Sequence, residues 1–396
     1  MRGSLGVWAE SVSEPVIGKL PILELHINVW RDLPKDRSSI DFGFQITQPD
    51  DLNRMFLYIP AALNISDIED LSEVLKFGET LSAVFNDTVE ITSHNQGSFD
   101  VKRSNGSAFR IFDLKPNRDF AIEYVPISAS QNGSVITFSS EFCERLRQAP
   151  GGAAYLRVRV HLSRENGKIF YSYASPADSW LLSRFYRTEL NEFRLNERRS
   201  FPDTVVKWSE NSEFRIVRVL YFLIRDFRYE LLVQHVQFKR TRRLEPGIWQ
   251  KYLAPTGERI SGKKASDVGD RMLIYQWRED APKLESADDR KWIEDFSAFA
   301  SFKSPKDNIW AYVLAVLALG ALGSALQATV YALSGHIKMP FLDNETANAS
   351  SGTLSALNQS VLCLSMLVAL LCLIAALGPI ARSVGHLGNW IRSKQG

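Results

Sequence analysis

The chain has 396 residues, a formal net charge of +2, 23% charged and 45% apolar side chains, and three cysteines. This composition excludes a disordered or fibrous protein and a disulfide-built scaffold. The charge is uneven: residues 308–396 hold four Lys/Arg and two Asp/Glu, whereas the first 307 hold 43 of each sign.

Residues 1–13 lack the apolar core of a signal peptide, so the body is expected in the cytosol. Strand patterns follow. Leu23, Leu25, Ile27 and Val29 alternate with Glu24, His26 and Asn28, and Ile40, Phe42, Phe44 and Ile46 alternate with Asp41, Gly43 and Gln45. A period of two on both sides of a polar turn containing Pro34 predicts a hairpin-like pair. Further strands are expected over 55–59, 88–92, 109–114, 120–125 and 134–138. Residues 155–162 give the clearest pattern, with Leu156, Val158, Val160 and Leu162 on one side and Arg157, Arg159 and His161 on the other. Residues 168–173 are expected to pair with them.

Helical signals are fewer. Ser66 and Glu69 read as a capping box ahead of Ile68, Leu71 and Leu75, with Gly78 as the stop. A short helix is expected over 140–148, and another from Ser175-Pro176 that turns Trp180, Leu181 and Phe185 inward. Many strands with few helices predict a mainly β cytosolic domain over 1–200, an antiparallel sandwich or partly open barrel.

Two arginines and Pro202 within 198–203 mark an expected boundary. The net charge changes there too, from −4 over residues 1–206 to +7 over 207–278, then −3 over 279–307. Strand patterns at 214–224, 229–238 and 271–277 predict a smaller basic, β-rich, membrane-proximal subdomain over 201–287. Arg215, Arg218, Arg225 and Arg228 are expected on outer strand faces. Lys239, Arg240, Arg242 and Arg243 fall within five residues, and Lys251, Arg259, Lys263, Lys264 and Arg271 follow. Trp249, Tyr252 and Trp277 interleave with them. Arginine forks on phosphate and rings on bases make Lys239, Arg240, Arg242, Arg243, Trp249, Lys263 and Lys264 candidate residues for a nucleotide or another polyanion. A basic face lying on anionic lipid headgroups is the competing reading.

Residues 257–263 match Gly-x4-Gly-Lys, but Lys264 stands where a phosphate loop needs a hydroxyl for magnesium. A turn signal, Ala254-Pro255-Thr256, precedes it, so a basic surface loop is expected. Gly-x-Ser-x-Gly, His-Glu-x-x-His and Cys-x-x-Cys are all missing from the sequence, and the six histidines lack metal-ligand spacing. The expectation is a protein without catalytic residues, metal or cofactor.

Residues 288–307 read as an amphipathic juxtamembrane helix and linker, with Trp292, Phe296 and Phe299 on one face and a break at Pro305. Two uncharged runs follow, 309–334 and 360–380. Each exceeds the ~20 residues that cross a ~30 Å hydrocarbon layer, and neither has the polar stripe of a buried soluble helix. The expected plan is a first transmembrane helix over 308–334, an exterior loop over 335–359, a second helix over 360–380, and a cytosolic interfacial tail over 381–396. Lys303 and Lys306 before the first span, with Arg382, Arg392 and Lys394 after the second, put both termini in the cytosol. In the first span, Gly320, Gly323, Ser324 and Ala328 supply small faces and Gln327 an amide. These residues are expected to pack helices together and to support self-association.

A cytosolic domain followed by two C-terminal spans resembles, in plan, the magnesium channels of the CorA type. Their first span ends in Gly-Met-Asn; here Leu333-Ser334-Gly335-His336 stands instead, and no functional residue carries over. The plan is also similar to bacterial antiviral membrane effectors, which pair a cytosolic sensing domain with spans that perforate the inner membrane. With the +7 block and the small-residue spacing, this leads to an expected role as a membrane-tethered, non-enzymatic sensor or effector. The body would bind a protein partner or an anionic small molecule, and the spans would oligomerise in the bilayer and alter its permeability. The alternatives are a passive anchor or scaffold subunit of a larger complex, or a divergent two-span ion channel.

Overall fold

The first hairpin forms as its alternation predicts, and it becomes the centre of the body. The computed structural model describes residues 3–13, 20–33, 37–174, 186–210, 214–235, 238–245, 247–253, 271–282 and 292–305, and in the tail 313, 316, 317, 319–324 and 327. Strands β1 (Gly6–Ser11), β2 (Ile22–Leu33), β3 (Arg37–Thr47) and β4 (Leu52–Ile59) open the chain. Strands β2 and β3 are antiparallel, with Leu23 opposite Ile46 and Val29 opposite Ile40. Their apolar side chains all enter one core.

Next come β5 (Ile68–Asp70), β6 (Val89–Asn95), β7 (Ser98–Arg103), β8 (Ala108–Phe112), β9 (Phe120–Ser128), β10 (Gln131–Phe138) and β11 (Ala153–Leu162). Then follow β12 (Tyr171–Ala174), β13 (Tyr186–Leu195), β14 (Arg215–Asp226), β15 (Glu230–Gln234), β16 (Arg240–Arg243), β17 (Met272–Asp280) and β18 (Phe296–Pro305). The α-helices are short: α1 (Ser72–Leu75), α2 (Gly78–Phe85), α3 (Ser140–Arg147), α4 (Arg164–Gly167), α5 (Asp203–Ser209) and α6 (Ile248–Leu253). The body is therefore mainly β, as its sequence predicts.

The strands form a ten-stranded sheet, ordered β16-β17-β14-β2-β3-β11-β8-β7-β6 with β5 on β11, and two four-stranded sheets, β1-β4-β10-β9 and β12-β13-β18-β15. One apolar cluster draws on all three: Leu25 and Val158 from the large sheet, Leu57 and Phe138 from the second, Phe193 and Phe302 from the third. Burying each such side chain contributes ~1.5–3 kcal/mol. The layering fits a sandwich, but the large sheet is mixed rather than antiparallel throughout. Strand β14 runs parallel to β2, and β8 parallel to β11.

Four local expectations are corrected. Residues on both sides of 198–203 share the large sheet, because the apolar face of β14 (Val219, Tyr221 and Leu223) is buried in the core beside β2. The juxtamembrane helix is not formed over 296–305: Phe296, Ala298, Ala300 and Phe302 alternate into the core, and a period of two makes this segment β18. Strand β12 pairs with β13 and not with β11, since α4 turns the chain away. Near the expected capping box, the Asn64 N–H donates to Asp67 Oδ2 at 2.8 Å, residues 68–70 are strand, and Gly78 begins α2 instead of ending a helix. The helix expected from Ser175 lies outside the described residues.

The opposite face of the large sheet is covered by α1, α2 and α6. Trp30, Leu71, Val74, Trp249 and Tyr252 form one small core there. Leu81, Phe99, Phe109 and Tyr155 form another.

The chain divides into two units, residues 1–175 with 187–304 and residues 176–186 with 305–396. In the second, the described residues from 313 to 327 are helical. Among the described residues, no helix is long and apolar enough to cross a membrane. The expected segments 335–359, 360–380 and 381–396 lie outside the described residues, as does most of 308–334.

Candidate functional site

Strand register builds the second face of the large sheet in rows. One row runs Arg240, Gln276, Phe222, Asn28, Asp41, Arg159. The next runs Arg278, Leu220, His26, Gly43, Arg157, and the one after it Asp280, Arg218, Glu24, Gln45, Tyr155. Alternation on β11 does place Arg157 and Arg159 opposite the aliphatic core. Both are nevertheless buried, at 1% and 2% exposure, because α6 closes over them.

Asp41 is the hub of this face. It accepts from Arg159 Nε at 2.7 Å and Nη2 at 3.1 Å, from Trp30 Nε1 at 2.7 Å and from the Tyr252 hydroxyl at 2.6 Å. Burial disfavours its charge, but the Arg159 and Arg157 guanidiniums and these hydrogen bonds outweigh that and hold the carboxyl below the usual range. Arg157 Nε donates to the Tyr252 hydroxyl at 2.7 Å and Nη1 to the Tyr155 hydroxyl at 3.0 Å. Its Nη2 is 3.9 Å from Asp41 Oδ2 and has no hydrogen-bond partner among the described residues. Gly43 makes room for this arrangement. A Cβ there would overlap the Tyr155 hydroxyl and stand 2.7 Å from Arg157 Nη1.

A groove of about 340 Å³ lies between the two small cores, with His26, Asn28 and Arg157 among its lining residues. His26 and Asn28 are each 5% exposed. Neither side chain makes a hydrogen bond among the described residues. Burial, then the charges of Arg157, Arg103 and Arg218, lower the His26 pKa to about 3, so the imidazole is neutral at physiological pH. Seven basic residues line the groove against a single acidic one, Glu24. Its apolar lining comes from Val84 and Phe85 at the end of α2 and from Leu220 and Phe222 of β14, which lie beside His26 and Asn28 in their rows.

Of the candidate ligand residues, Lys239, Arg240, Arg242 and Trp249 line this groove. Trp249 does so from a buried position, packed on Trp30 and Tyr252. Arg243 alternates to the other side of β16, opposite Leu273. Lys263, Lys264 and the 257–264 near-match lie outside the described residues. Gly320, Gly323, Ser324 and Gln327 are helical, and Ser324 Oγ donates to the Gly320 carbonyl at 3.1 Å. Ala328 lies outside the described residues.

The sequence reading missed His26, Asn28, Arg103, Arg157 and Arg218 as groove residues. Their signal was the polar half of each alternating strand, which becomes a site only once register is known. Arg225 also departs from its expected outer face. It is fully buried, donating to Glu189 at 2.9 Å, while Arg31 meets the same carboxylate at 3.2 Å. Burial raises the Glu189 pKa, but Arg225 and Arg31 more than offset it and keep the group ionised. This cluster joins β13 to the large sheet.

A larger cavity of about 730 Å³ lies beside Trp8, Phe201 and Phe214. Its charges are mixed (Arg198 and Arg199 with Glu197, Glu294 and Asp295), so it has no preference for one sign. Among the described residues, no cluster of three or more His, Cys, Asp or Glu is placed to hold a metal ion.

No family model and no curated protein matches the chain. Among solved structures it is similar to LTA4 hydrolase of yeast in complex with bestatin, at 6% identity and a TM-score of 0.26. It is likewise similar to native leukotriene A4 hydrolase from Saccharomyces cerevisiae, at 6% identity and a TM-score of 0.25. Each likeness covers 74% of this chain but 30% of the other. So distant a likeness carries no argument about the groove.

Proposed function

We propose that the β-rich body binds an anion in the groove and that the protein is a membrane-tethered, non-enzymatic sensor or effector. Two apolar runs, 309–334 and 360–380, span the bilayer with both termini in the cytosol, and the chains self-associate through the small-residue face around Gly320 and Ser324. Ligand binding in the body alters the permeability of the membrane through these spans.

The observation that carries the binding half is the groove floor. A buried guanidinium with an unpartnered Nη2, a neutral imidazole and a carboxamide converge under a basic rim. Leaving buried donors unpaired costs ~1–3 kcal/mol each, an expense that an anion reaching the floor removes.

Equilibrium dialysis of the full-length protein in non-ionic detergent against inorganic pyrophosphate tests this reading. Binding is expected, weakening as salt rises. The double variant Lys239→Glu/Arg240→Glu is expected to lose at least about tenfold in affinity while melting like the wild type, since both residues sit at the solvent side of the groove. Absence of pyrophosphate binding, or equal binding by the double variant, overturns the groove as an anion site.

A further inference from the structure

The groove's charge and its apolar wall together specify more than an anion. Several of its cations are already neutralised. Arg218 bonds Glu24 at 2.9 Å and Asp280 at 2.7 Å, Arg278 bonds Asp280 at 2.6 Å, and Arg242 bonds Glu245 at 2.8 Å. The others are less fully matched among the described residues. Arg103 donates to the neutral Gln45 at 2.7 Å. Among the described residues, Lys239 and Arg240 make no ion pair. Arg157 competes for Asp41 with Arg159, which holds it at 2.7 Å against 3.9 Å. Positive charge therefore remains at both rim and floor, which suits a ligand with more than one negative charge.

Size and wall chemistry narrow the class. A volume of about 340 Å³ is in the range of sites for small organic ligands and is far more than inorganic phosphate fills. An inorganic anion would also leave the half-buried Phe222 and Val84 of the groove lining without a ligand contact. Arg103 lies over the Phe85 ring at 5.2 Å, which sets a cation at the edge of this apolar lining. Against a flat lipid surface, the floor is out of reach: Arg157 is 1% exposed and His26 5%.

We propose that the groove's ligand is a nucleotide, with its phosphates on Arg157, His26 and Asn28 and its base against Phe222. This rests on reading the groove as an anion site. His26, kept neutral by burial and its arginine neighbours, donates from one ring nitrogen to a phosphate oxygen. Asn28 supplies amide donors beside it. Lys239 and Arg240 close the phosphate end from the rim.

Calorimetry on the full-length protein in detergent, with ADP, UDP, adenosine, inorganic pyrophosphate and phosphatidylglycerol vesicles as separate probes, tests the ligand class. At least one of ADP and UDP is expected to bind about tenfold or more tighter than pyrophosphate, and adenosine far more weakly than ADP. Phe222→Ala is expected to weaken the nucleotide about tenfold and leave pyrophosphate within about twofold, with Phe222→Leu as a volume control. Arg157→Lys weakens both, because a point charge replaces the fork. If pyrophosphate binds as well as either nucleotide, or Phe222→Ala changes nothing, the nucleotide assignment is overturned and the anion site stands. If the vesicles bind and ADP and UDP do not, the ligand is a lipid headgroup and the assignment is overturned. If pyrophosphate itself does not bind, the underlying reading fails as well.

Discussion

Gly43 decides whether the groove has a floor. Its strand neighbours Tyr155 and Arg157 lay their polar ends over the one position in the row without a side chain. Gly43→Ala is expected to push both aside, costing ~1–3 kcal/mol of stability through overpacking. It is also expected to weaken pyrophosphate binding more than Lys239→Ala does, as read by urea denaturation and dialysis on the same preparations. Asp70 makes a different prediction. It accepts from the Ser72 N–H at 3.2 Å and from the Ser72 hydroxyl. Burial nevertheless raises its pKa from 3.8 to about 7, with Asp113 adding to the rise. The unfolded chain releases this proton near pH 4, while the folded chain retains it to about 7. The folded state thus binds more protons across that window, and its stability falls as pH rises through it. Asp70→Asn is expected to match the wild type near pH 4 and exceed it by roughly 1–3 kcal/mol at pH 8, a figure reduced for partial solvent screening. Equal denaturation midpoints at pH 8 would sink this assignment. At this scale the sequence was a partial guide. The identity of the basic cluster was plain in Lys239–Arg242, but the partners that make it a groove come from β2, β7, β11 and β14. Arg157 and Arg225 looked like outer-face residues because one alternating strand does not reveal what covers its polar side.

Individual strands were legible wherever one face meets the core and the other stays polar, as in β2, β3 and β11. Residues 288–302 misled because Trp292, Phe296 and Phe299 also fit a helical stripe. The finer pattern of Phe296, Ala298, Ala300 and Phe302, two aromatics and two small residues at period two, fits the interior of a sheet. Strand β18 lies between β13 and β15, so both of its edges are paired. Ala300→Pro is therefore expected to cost about 3 kcal/mol or more and to be read as a fall in urea midpoint. A helix here would be hurt as well, so Phe302→Ala separates the two. Phe302 contacts Tyr275 at 5.5 Å and lies under Arg225 at 4.8 Å. Its loss should cost ~3–5 kcal/mol, against near zero for a residue on an interfacial helix in detergent.

At the scale of the whole molecule, the separation of a charge-balanced body from a sparsely charged tail was visible in the composition alone. Strand order was not, since it depends on contacts far apart in sequence. The proposed membrane tether yields a direct expectation. In a bacterial host, the full chain should remain with the membrane pellet after alkaline carbonate, and its body should resist protease added to intact cells. Release by carbonate would remove the tether from the proposed function.

The pairing of β14 with β2 also has a consequence for how the protein is made. Ile22 finds its partner, Arg215, only after most of the body has been synthesised. Until then the nascent chain carries an open strand edge beside β3, and closure waits on a contact of very long sequence separation. Folding should thus be slow, and the exposed edge should call for chaperone protection on the ribosome. By the time residue 309 leaves the exit tunnel, every strand of the body has already been made.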